Sequence, residues 1–80
     1  MKLEILSALR FYALDHKPIG GFLRACLEND LTGAITRADD QNLKDLRDIA
    51  IYMAWDMPRE SWGSKKIVEE WLGVEKETPF

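Results

Sequence analysis

Proline, glycine and small polar pairs interrupt this chain at intervals that set the length of every element it can form. Pro18 disfavours helical geometry at Lys17, and Gly20-Gly21 completes a break. Asn29-Asp30 ends one segment and offers a cap to the next, and Asp39 or Asp40 can cap another. Pro58 stops that segment, Ser64 can cap the last one, and Gly73 closes it.

Within these lengths the apolar residues recur at three- and four-residue spacing, which is the period of a helix with one buried face. The first helix is expected from about Lys2 to Asp15, with Leu3, Leu6, Leu9 and Ala13 on its stripe and Ile5 and Tyr12 alongside. A second, about two turns long, buries Phe22, Leu23, Cys26 and Leu27 and turns Arg24 and Glu28 outward. A third carries Leu31, Ala34, Ile35 and Ala38, although Thr32, Gly33 and Thr36 lower its propensity. The longest runs from Asp40 to Met57, with Leu43, Leu46, Ile49, Ala50, Met53 and Met57 along one face and Asp40–Lys44 as a charge pair. Arg59 to Gly63 connect it to a final helix bearing Ile67, Val68, Trp71 and Leu72. No alternating pattern calls for a strand. The expectation is an all-α fold, a compact single-domain bundle of four to five short helices over residues 1–73, followed by a flexible acidic tail over 74–80.

A length of 80 residues suits one domain with a thin core, since such a chain buries only about 60% of its unfolded surface. The 46% hydrophobic and 31% charged composition argues against disorder. The net charge of −3 leaves no global footprint for phosphate backbones, so direct duplex DNA binding is not expected. Cys26 is the only cysteine, which excludes an internal disulfide and fits a reducing cytoplasm. The opening Met-Lys-Leu-Glu-Ile-Leu lacks the architecture of a secretory signal. The longest apolar stretch, Ile49 to Trp55, falls far short of the roughly 18 to 20 residues that span a bilayer. A cytoplasmic protein, neither exported nor embedded, is the expectation.

Catalysis needs a nucleophile, a base and an orienting group within reach of one another. His16 is the only histidine and sits where a helix ends, where it serves as a solvated or capping residue. Cys26 lies on an apolar face and reads as a small core residue. The carboxylates fall at caps and charge-interspersed helical positions, without an acid/base pair in an apolar pocket. One histidine and one cysteine leave only oxygen ligands for a metal, and no calcium-loop spacing is present. The reading is therefore non-catalytic, with no metal and no cofactor.

Two stretches would receive a small anion. In Lys17-Pro18-Ile19-Gly20-Gly21 the glycines let backbone N–H groups approach a ligand where a helix begins, and Lys17 and Arg24 add positive charge. The alternative is a tight helix–helix turn. In Trp62-Gly63-Ser64-Lys65-Lys66, an aromatic face, a capping hydroxyl and lysines meet at a helix start, where lysines oppose the helix dipole unless an anion is bound. Solvated lysines pairing with Glu69 and Glu70 are the alternative. Trp62 is expected to be partly exposed and open to stacking, or else folded onto the core. The run from Ile49 to Trp55 has no polar face, so the long helix is either central or meets another subunit, with Ile51, Tyr52 and Trp55 as interface residues of a homo-oligomer.

The run Pro18-Ile19-Gly20-Gly21-Phe22-Leu23-Arg24-Ala25, continued by Leu27-Glu28-Asn29-Asp30-Leu31, Ala38-Asp39, Asn42, Pro58, Trp62-Gly63-Ser64 and Trp71, resembles a group of short proteins of unassigned activity encoded by tailed phages and prophages. The likeness covers roughly residues 12 to 72. It departs at Arg59-Glu60-Ser61, where members of the group often carry a cysteine or other small residue. The resemblance implies a phage accessory protein in the host bacterial cytoplasm. By class-level analogy it would act in counter-defence, sequestering a small anionic, nucleotide-like host signal, or else binding and blocking or redirecting a host protein.

Overall fold

Each expected break ends or starts a helix in the computed structural model, which describes residues 1–73. The tail expected over 74–80 lies outside the described residues. The elements are α1 (Leu3–Asp15), α2 (Gly21–Leu27), α3 (Leu31–Arg37), α4 (Asp40–Asp56), a single 3-10 turn at Arg59–Ser61, and α5 (Lys65–Leu72), with no strand among the described residues.

Local chemistry accounts for the boundaries. His16 closes α1 in the left-handed region at φ 56°, its N–H bonding the Tyr12 carbonyl at 3.0 Å. The side chain of Asp30 accepts from the Gly33 N–H at 2.9 Å and that of Asp39 from the Asn42 N–H at 2.8 Å, capping α3 and α4. Ser64 does the same for α5 through the Ile67 N–H at 3.1 Å, and Gly73 ends it at φ 81°. Gly33 is required for space, since a Cβ there would run into the Asp30 carboxylate that caps the helix. Ala38, expected within α3, is its extended C-cap residue, and the expected Arg59–Gly63 loop contains the 3-10 turn.

The core joins all five helices. Phe22, Leu23, Ala25 and Leu27 bury one side of α2 against Ala34 of α3, Ile49 and Met53 of α4, and Val68 of α5. From α1 the buried residues are Ile5, Leu9 and Tyr12, not the expected Leu3–Leu6–Leu9 stripe; Leu3 is 74% exposed. Both stripes have helical spacing. The rotation is selected by Tyr12, whose hydroxyl donates to the Ser61 carbonyl at 2.6 Å and so must face the 3-10 turn. Leu31 and Ile35, expected inside, are likewise exposed, because the buried residues of α3 are Gly33 and Ala34. On α4, Leu43 and Ala50, expected on the inner face, are exposed, since that helix turns Asp45, Ile49 and Met53 inward. The expected Asp40–Lys44 pair does not form; among the described residues the ion pairs join Met1 to Asp45 and Asp48, and Arg24 to Glu28 and Glu69.

Candidate interaction surface

The residues expected to hold an anion do not converge. Gly20 and Gly21 stand at the start of α2, while the Gly63 N–H bonds the Leu27 carbonyl at its far end, 2.7 Å away. The six-residue step from Gly21 to Leu27 separates the two groups by about 9 Å along the helix axis. Arg24, between them, is not the outward cation the spacing suggested. Its Nε donates to Glu28 Oε2 at 2.8 Å and its Nη2 lies 4.0 Å from Glu69 Oε2, so two carboxylates already neutralise it. Lys17 and Lys65 are exposed, and the Ser64 hydroxyl is occupied as a cap.

Trp62 is folded onto the core. Its ring is half-buried, and the Arg59 guanidinium lies 4.3 Å above the ring centroid while donating to the Trp62 carbonyl. Gly63 adopts φ 131°, a backbone conformation that side-chain-bearing residues rarely take. The Trp62 Nε1 is buried without an acceptor among the described residues, beside a largely apolar recess of about 220 Å³ that also touches Cys26, Ala34 and Met53. Burial pushes the Cys26 thiol up to about 11, which keeps it protonated and weakly nucleophilic near neutral pH. His16 is held on α5, its Nδ1 2.6 Å from the Trp71 carbonyl and its ring stacked on the Trp71 indole at 4.3 Å.

What the fold does assemble is a largely apolar surface along α1 and α4. The Met1 ammonium lies 3.8 Å from Asp45 Oδ1 and 3.5 Å from Asp48 Oδ2, and the far end of α1 meets the last turn of α4, so the two helices run in the same direction. Between them is a groove of about 500 Å³ lined by Leu6, Arg10, Ala13, Leu14, Tyr52, Asp56 and Pro58. Leu14 is 70% exposed on one wall, and Phe11, at 58%, extends the apolar surface over the crest of α1. Arg10 and Asp56 rim the groove with opposite charges, and neither has an ion-pair partner among the described residues.

Of the expected interface residues, Tyr52 forms part of the groove and is half-buried, while Ile51 and Trp55 face outward at 41% and 81% exposure. A single inward stripe on α1 leaves no room for the groove. The signal was an excess: Leu3, Phe11 and Leu14 in addition to Ile5, Leu9 and Tyr12 are more apolar residues than one face of a helix holds. No helix of the described residues is long and apolar enough to cross a membrane. Comparison with protein-family models, with curated proteins and with solved structures finds no match to this chain.

Proposed function

We propose that this chain is a non-catalytic interaction module that seats an amphipathic helical segment of another protein in the groove between α1 and α4. The observation that carries the reading is the groove itself, an open recess of about 500 Å³ between α1 and the end of α4, apolar over most of its lining, whose wall residue Leu14 is 70% exposed. Helix-in-groove recognition uses this chemistry, with apolar anchors at helical spacing filling the trough and rim charges setting register. Arg10 and Asp56 would each find an opposite charge on the segment. The resemblance to small phage proteins supplies a setting in which the partner is a host bacterial protein that is blocked or redirected.

Sequestration of a nucleotide-like anion has less support. It would have to recruit Arg24 away from Glu28 and Glu69 and bridge the two ends of α2.

The test is affinity capture from bacterial lysate with the wild-type chain and with Leu14→Arg, followed by reconstitution with the purified partner. The expected result is a stoichiometric partner whose affinity for Leu14→Arg falls by about tenfold or more, while circular dichroism shows an unchanged fold. Equal binding by both forms, or recovery of the bare protein alone, would sink the reading.

A further inference from the structure

We propose, resting on that groove reading, that the seated segment is a helix running antiparallel to α1. It sets an acidic side chain against Arg10 and, about one turn nearer its own N-terminus, a basic one against Asp15 and Asp56. The seat is wider than the groove between α1 and α4. A second open recess, of about 260 Å³, lies on the other side of Arg10 and Leu14 and is bounded by Ser7, Phe11 and Asp15. Arg10 and Leu14 line both recesses, so a ridge of side chains at i, i+4 spacing stands between two troughs. That relief is what one helix offers another, since helices pack by laying the i, i+4 ridges of one into the grooves of its partner.

Charge restricts which helix fits. Of the side chains lining the two troughs, Arg10, Asp15 and Asp56 are the charged ones. All three are exposed, and none has an ion-pair partner among the described residues. The two aspartates sit in the last turns of α1 and α4, where the helix dipole is already negative and no basic side chain in the turn offsets it. Lys17 lies beyond the end of α1 and lines neither trough. Because α1 and α4 run in the same direction, their negative ends lie together at the Asp56 end of the groove. An arrangement that is locally unfavourable on two adjacent helices belongs at a functional surface, and a cation brought by a partner offsets it.

The spacing of these charges sets the order of residues on the partner. Arg10 precedes Asp15 by five residues, which is about 7.5 Å along the helix axis. A helix that meets both therefore carries its own base and acid four or five positions apart on one face. Antiparallel, with the base toward its N-terminus, it also lays the positive end of its dipole on the two negative helix ends. The parallel sense would bring three negative ends together.

Selection from an alanine-based helical peptide library, randomised on one face and displayed against the purified wild-type chain, tests this. The expected peptides carry Lys or Arg four or five positions before Asp or Glu, among apolar residues, and lose binding to Leu14→Arg. Selection against Arg10→Glu should replace the acid by a base. Asp15→Lys combined with Asp56→Lys should replace the base by an acid, with circular dichroism unchanged in each variant. A peptide selected on the wild type should bind Arg10→Glu about fivefold more weakly. Peptides that depend on Leu14 but show no charge preference, or that place the acid before the base, would overturn this inference and leave the groove reading standing. Peptides indifferent to Leu14→Arg, or none at all, would overturn both. So would a doubled mass in sedimentation equilibrium that Leu14→Arg abolishes, because a second copy would then be the cover.

Discussion

Trp71 and Trp55 lie on the last turns of two helices in the same small protein, and their surroundings have nothing in common. The Trp71 indole N–H donates to the Tyr12 carbonyl at 2.9 Å, its carbonyl lies 2.6 Å from His16 Nδ1, and its ring is stacked by that histidine. Tyr12 in turn reaches the Ser61 carbonyl, so α1, the 3-10 turn and α5 close into one clasp whose polar groups are satisfied within the chain. Trp55 is 81% exposed and makes no such contact among the described residues. One end of the molecule is complete; the outer side of α1 and α4 offers large apolar groups that nothing in the described chain covers. Function is assigned to the second region because the first has no unused capacity.

The contrast is sharpest in stability. Tyr12→Ala removes a ring with no exposed surface and strands the Ser61 carbonyl, and should cost about 3–5 kcal/mol, read as a lowered urea midpoint. For so small a domain that loss approaches the whole stability. Trp55→Ala should change the same midpoint by no more than about 0.5 kcal/mol. Comparable costs at the two positions would erase the distinction between the regions.

A smaller effect lies in alkaline titration. Burial pushes the Tyr12 phenol up to about 12 from an ordinary value of 10.0, so between these limits the unfolded chain gives up a proton that the folded chain keeps. Stability must therefore fall as pH rises through that window, because the unfolded state binds fewer protons. Cys26, raised from 9.0 to about 11, adds a loss of the same sign beginning lower. Tyr12→Phe should lower stability near neutral pH by about 1 kcal/mol, through the lost hydrogen bond, and flatten the upper part of the alkaline limb. An unchanged limb in that variant would remove Tyr12 from the clasp.

The smallest change is kinetic. Alkylation of Cys26 in the folded protein near pH 8 should be several-fold slower than in urea, since the raised thiol value leaves less thiolate. Equal rates would show that the recess beside Trp62 opens freely.

Helix boundaries were legible from the residues because capping is a short-range matter. Asp30, Asp39 and Ser64 each bond an N–H three positions on, and Pro18, Pro58 and Gly73 act on their immediate neighbours. The uncharged run that suggested an interface through Ile51, Tyr52 and Trp55 was equally plain. Which side of α1 turns inward was not, because Tyr12 finds its acceptor 49 positions away and the indole of Trp71 reaches back 59. The partners of Arg24 divide in the same way: Glu28 sits one turn along its own helix, while Glu69 arrives from α5. Periodicity states that a helix has an apolar side; where a helix has two, only the packing of distant segments selects between them, and the side left over becomes the surface the protein presents.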